Sequence, residues 1–269
     1  MSRLFVITLF AAATALSWPA GAEAPAPRTT LFGAQVGIAG GASLPAPRGA
    51  VNAELARAGW PAIPAVRPAF QLRFGLMAYN VSLDIHFGGD GATLPGSHGE
   101  AGGFKVSRGA IGVDLGYRLQ IGRWFALSPH LGVSSLTSTL CFAGRPDSTS
   151  WTSRPPFEQI LRNPGKKTCL KAGAVGLDAG LWFGATFLLR SKDEANGGML
   201  GYISLGPRAG YVLPLSAGRT WEQAPSSERL AELPPFQGPA APLGGGYAGI
   251  EIEFRFAVES WPTGRAKAK

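Results

Sequence analysis

GYAGIEIEFRF, residues Gly246 to Phe256, decides the fold. Ala248, Ile250, Ile252, Phe254 and Phe256 fall on one face of an extended chain. Tyr247, Gly249, Glu251, Glu253 and Arg255 fall on the other. Successive side chains of a strand point to opposite faces, so one side is greasy and the other charged. In a soluble sandwich the charged side meets water outside. In a membrane barrel it faces the lumen.

Moving outward from this strand, the same alternation recurs along the chain. Leu31 to Ala39 sets Phe32, Ala34, Val36 and Ile38 against Gly33, Gln35 and Gly37. Phe70 to Met77 and Val81 to Phe87 follow, with Arg73 in one and Asp84 and His86 in the other on the polar face. Val106 to Leu119 sets Ile111, Val113, Leu115 and Tyr117 against Asp114 and Arg118. Trp124 to Leu140 shifts phase near Ser134-Ser135, which predicts a bulge. Leu170 to Leu189 carries Asp178, and Leu200 to Leu213 carries Arg208. With the opening strand this makes eight.

The connections alternate in length. Ala78 to Asn80, Gln120 to Arg123 and Arg190 to Gly198 are short. Gly40 to Ala69, Gly88 to Lys105, Phe142 to Thr168 and Pro214 to Gly245 are long. Short turns on one side and long loops on the other are the topology of an outer-membrane barrel. Glycines on the polar face favour the membrane over a soluble barrel. Gly33, Gly75, Gly112, Gly180 and Gly210 would weaken a strand facing water, yet they leave room for long neighbours inside a narrow lumen. The expected fold is all-β: an eight-stranded antiparallel up-and-down transmembrane barrel.

With eight strands, alternating loops and this last strand on the page, residues 31–258 resemble the small outer-membrane barrels of Gram-negative bacteria, the OmpA/OmpX type. The resemblance implies that Gly249, Ile252, Phe254 and Phe256 are the signal read by the barrel assembly machinery. The chain departs from the pattern in one respect, because 13 residues follow Phe256.

The ends agree with export. Arg3, the apolar run Leu4 to Leu16 and Ala20-Gly21-Ala22 read as a cleavable secretory leader. The expected division is 1–22 leader, 23–258 barrel and 259–269 basic tail. The charge balance of +8 comes without a Lys/Arg block, which argues against nucleic acid. Outer-membrane lipid and the assembly machinery are the expected partners, with an extracellular ligand reached through the loops.

The chemistry expected inside is electrostatic. Arg73, Asp84, His86, Asp114, Arg118, Asp178, Arg208, Glu251, Glu253 and Arg255 share the lumen face. Charges in a lumen filled by side chains must pair, because a lone buried charge is costly. Spacing offers no serine-hydrolase motif, Cys-x-x-Cys, His pair at helical spacing or phosphate loop. The expectation is no catalytic residue, metal or cofactor, and a structural or surface-binding role. A porin-like pore for small solutes, and a lipid-modifying or proteolytic enzyme built on Asp84 and His86, stand as alternatives.

Three further expectations concern the periphery. Cys141 ends one strand and Cys169 begins the next, so an oxidising compartment predicts a disulfide, against two free thiols. Val51 to Ala58 reads as a helix in the first long loop, stopped by Gly59, with Val51, Leu55 and Ala58 on one face. Tyr79, Trp124, Tyr211 and Tyr247 are expected in interfacial belts, and Trp151 and Trp221 exposed on loops.

Overall fold

The computed structural model describes residues 29–95, 103–122, 124–143, 157–162, 164, 167–191, 199–224 and 235–260. The expected leader at 1–22, most of the expected tail, His98 and Trp151 lie outside the described residues.

Eight long strands close on themselves. They are β1 (Thr29–Ala46), β2 (Arg67–Ala78), β3 (Val81–Pro95), β4 (Gly103–Tyr117), β6 (Phe125–Ala143), β7 (Lys167–Ser191), β8 (Met199–Pro214) and β11 (Gly244–Ser260). Each is antiparallel to its neighbours in that order, and β11 returns to pair with β1 from Thr29↔Ser260 to Ala46↔Gly244. Closure leaves no unpaired edge among these staves, which a lipid environment demands. Three short strands add to the wall. β5 (Leu119–Ile121) extends the ladder of β6, β9 (Thr220–Gln223) pairs with β7, and β10 (Phe236–Gln237) pairs with β9.

The outside of the short-turn half is apolar. Leu131 is 61% exposed, Phe32 59% and Leu83 55%, with Val113, Phe183, Leu205 and Ile252 in the same belt. An unbroken apolar ring around a closed barrel belongs in hydrocarbon. The chain is an eight-stranded transmembrane barrel. The tightest turn is at Tyr79-Asn80, where φ is 51° and 65°. Two consecutive left-handed residues make the hairpin turn that matches strand twist, and Asn tolerates that conformation better than most residues.

The strands run further than alternation suggested. β7 is 25 residues long, about 80 Å at 3.3 Å per residue, where about ten residues cross a bilayer. The extra length rises on the long-loop side as a second storey. There the polarity reverses. Phe104, Val106, Leu136, Leu140, Phe142 and Leu170 point inward and are fully or almost fully buried. Into this apolar mouth descends α1 (Gly49–Arg57), with Val51 and Leu55 wholly buried. A second helix, α2 (Phe157–Arg162), buries Phe157, Ile160 and Leu161 against it. Trp60 Nε1 donates to the Leu161 carbonyl at 2.7 Å, tying the two helical segments together.

The reversal corrects several expectations. β6 keeps an unbroken register with β4 and β7, so there is no bulge at Ser134-Ser135. The apparent slip is the change of medium, because Leu136 faces inward where Ser134 does, two residues earlier. Register shifts lie instead at Thr30/Phe32 and Leu188/Arg190. Trp221 is wholly buried beside Phe157, its indole N–H donated to the Pro239 carbonyl, so it is not an exposed loop aromatic. Glu259 and Ser260 pair with Thr30 and Thr29, so β11 runs two residues into the segment expected as tail.

Candidate functional site: the lumen charge lattice

Inward positions of the short-turn half carry all ten charged residues expected there, each at most 4% exposed. Alternation sets their direction, and glycines set their spacing. A Cβ on Gly75 would overlap Asp84 Oδ1, and one on Gly180 would collide with His130 and the Tyr247 hydroxyl. Glycine on one strand thus yields space to a long side chain from the next.

Two arginines bridge the lower lattice. Arg73 Nη2 donates to Glu251 Oε1 at 2.5 Å and to Glu253 Oε2 at 3.0 Å, and its Nη1 lies 3.6 Å from Asp84. Arg118 Nη1 donates to Glu253 Oε1 at 2.5 Å, and its Nη2 donates to Thr186 and Ser204. The same guanidinium lies 5.1 Å from the ring of Trp182, a cation–π contact. Asp84 also accepts from Gln35 Nε2 at 2.6 Å and Ser82 Oγ at 2.8 Å. Arg255 lies over Tyr202 at 4.3 Å and donates to Thr30 Oγ1. Such multiply bonded pairs can repay the desolvation of charge that isolated buried pairs do not.

A second group centres on His86. Its Nδ1 is 2.9 Å from Asp114 Oδ2 and its Nε2 is 3.1 Å from Ser134 Oγ. Asp84 and His86, two apart on one strand, do not pair. Asp84 turns to Arg73, Gln35 and Ser82, while His86 turns to the next strand. Arg208 Nη1 donates to Glu251 Oε2 at 3.1 Å and Nη2 to His130 Nε2 at 2.9 Å. The Tyr247 hydroxyl donates to Asp178 Oδ1 at 2.9 Å. Tyr247 is therefore a lumen residue and not part of an aromatic belt. Tyr79, Trp124 and Tyr211 do face outward. His130 was readable as a lumen residue, since Leu131 and Val133 hold the outer phase.

Above these lies a cluster that sequence reading missed. Asp90 accepts from Ser43 Oγ at 2.7 Å and Arg108 Nε at 2.8 Å, and its Oδ1 meets Arg67 Nη2 at 2.7 Å. Arg108 Nη1 also donates to the Leu243 and Gly244 carbonyls. One carboxylate thereby joins β1, β2 and β4, and Arg108 ties them to the start of β11. Its signal was phase, because Asp90 lies six residues beyond Asp84. A cavity of about 80 Å³ separates the storeys, bounded by His86, Asp178, Arg208 and Tyr247 below and by Asp90, Arg108, Leu136 and Val212 above.

The remaining expected residues are peripheral. Cys141 and Cys169 face each other across β6 and β7 and form a disulfide. Ile252, Phe254 and Phe256 lie on the lipid face of β11 and Gly249 on its lumen face, and β11 continues four residues past Phe256.

No family model matches the chain, and no curated protein matches it. Among solved structures it is similar to Ail, the attachment invasion locus protein of Yersinia pestis, crystallised with the heparin analogue sucrose octasulfate. That likeness has a TM-score of 0.39 and 10% identity, over 84% of this chain and 98% of the other. It is also similar to the outer membrane protease OmpT from Escherichia coli, with a TM-score of 0.23 and 9% identity, over 87% of this chain and 97% of the other. Neither likeness carries over a residue or an activity. What this chain's own closed ladder, apolar belt and alternating loops show is the fold, an eight-stranded transmembrane barrel.

Proposed function

We propose that this protein is a closed outer-membrane barrel with a structural or surface-binding role, exported by its leader and presenting the long-loop storey outside the cell. One observation carries the reading: the lumen is filled at two levels by two kinds of chemistry. Below, the arginine–carboxylate lattice spans it. Above, α1, Trp60, Phe142 and Trp221 occupy the mouth as a dry core. A hydrated solute would have to break both. The partners that fit are membrane lipid along the belt, the assembly machinery at β11, and an extracellular ligand on the outer storey. Rigid scaffolds commonly place binding on such loops.

The reading is not enzymatic. Asp114, His86 and Ser134 stand in a row that could serve a serine hydrolase, but Ser134 is 1% exposed and offers no surface to a substrate. Purified protein in a planar bilayer tests the proposal. The expected record is flat. Reproducible conductance steps would support a pore and overturn it.

A further inference from the structure

We propose that His86, Asp114 and Asp178 hold a divalent first-row metal ion at the floor of the lumen cavity. The three residues come from β3, β4 and β7, so no spacing in the sequence signals them. One donor atom from each lies within 4.8 Å of the other two, and all three side chains are buried. One imidazole nitrogen and two carboxylate oxygens suit zinc or manganese, and the adjoining cavity leaves room for water ligands.

Charge points the same way. Among the described residues of the lower lumen, Asp84, Asp114, Asp178, Glu251 and Glu253 face only Arg73, Arg118, Arg208 and Arg255. The unmatched acid is Asp178, whose hydrogen bond among the described residues comes from a neutral tyrosine. Asp114 Oδ1 is buried without a hydrogen-bond partner. It leans over Gly132, which stands between Asp114 and Asp178 in the cross-strand row. A Cβ at that position would overlap the oxygen. The missing side chain brings two carboxylates toward one another where no arginine lies between them in the row. A dication matches that pair and a neutral imidazole.

The geometry of His86 fits a ligand. Two donors bound at about 2.1 Å stand about 3 Å apart at the right angles of an octahedral ion and about 3.4 Å apart around a tetrahedral one. Nδ1 of His86 and Oδ2 of Asp114 stand at 2.9 Å. With Nε2–H donated to Ser134 Oγ, the Nδ1 lone pair faces the site. Ser134 then acts as a positioning residue that fixes the tautomer. Arg208, 3.6 Å from Asp114 Oδ2, holds that carboxylate from outside.

The test is to refold the full chain in detergent with and without Zn²⁺ or Mn²⁺, remove excess metal by gel filtration, and measure metal per protein. Heat-modifiable gel mobility reports that each sample is folded. The expected result is about one equivalent retained, with a Mn²⁺ electron-spin spectrum altered from that of the aqua ion. Asp178→Asn keeps an acceptor for Tyr247 and should cut affinity about tenfold or more, as should His86→Gln. Glu158→Gln, on the exposed face of α2 and away from the lumen lattice, should leave it unchanged. A folded wild-type barrel that retains neither metal would overturn the proposal. So would retention that is equal in folded Asp178→Asn.

Discussion

β6 passes through both storeys of this barrel without a break, and the two stretches of it are opposites. From Phe125 to Val133 the outward residues are Phe125, Leu127, Leu131 and Val133, while His130 and Gly132 face in. From Leu136 to Phe142 the inward residues are Leu136, Ser138, Leu140 and Phe142, all apolar but Ser138, while Thr137 and Thr139 face out. The hydrogen-bond ladder is the same in both. What changes is the medium beyond the wall, lipid below and water above. Each storey puts apolar groups toward or away from its centre accordingly. Backbone pairing builds the cylinder, and side-chain polarity records its surroundings.

The comparison can be broken at its strongest point first. Arg118→Leu removes one of the two arginines bonded to Glu253, leaving Arg73 shared among three buried carboxylates, and should destabilise the lower storey by up to the ~3–5 kcal/mol of a broken buried pair. Urea unfolding in detergent measures it. An unchanged midpoint would mean that the lattice is wet and not paired. A second test addresses the upper storey. Reducing the Cys141–Cys169 bridge, which spans 28 positions, should cost about 3.5 kcal/mol by loop-closure entropy, an upper figure. Thermal scans with and without reductant should show the loss, and thiol labelling of the unreduced protein should find no reactive cysteine.

A matched pair of substitutions sharpens the boundary. Leu131→Arg puts a cation on the lipid face and should cost about 2–4 kcal/mol. Thr137→Arg, also outward on β6 but above the belt, should cost about 0–1 kcal/mol. Equal costs would place both positions in one medium and erase the boundary drawn at Ser135. The smallest expected signal is the planar-bilayer record, where a filled lumen gives no current above baseline.

The lower storey was legible in the sequence because lipid outside and charge inside make alternation loud. Phe74 beside Arg73 and Ile252 beside Glu251 need no context to be assigned. The pairing of Cys141 with Cys169 was legible for a topological reason, since antiparallel neighbours bring their outer ends together. The upper storey was not legible. Its inward Leu140 and outward Thr139 carry the reverse code, so the strand looked displaced by one residue where only the polarity had inverted. Glycines at Gly40 and Gly88 gave the alternation nothing to mark and hid the strand tops. Arg67, Asp90 and Arg108 were lost with them. Trp221 and Tyr247 failed differently: an aromatic ring with a polar tip fits loop, belt and core alike, and only the tertiary partner decides.

The seam between β1 and β11 has a kinetic consequence. It joins residues about 200 positions apart or more, from Thr29↔Ser260 up to Ala46↔Gly244. Pairings this distant in sequence pay their chain entropy before they return any contact, which slows folding. The final stave is also the last of the eight to be made. No cylinder can shut until it is available, and until then both flanking strands present open edges that could pair with another copy. A protein built this way spends its most vulnerable interval between synthesis and closure, and any factor that holds the two edges apart during transit guards it against aggregation.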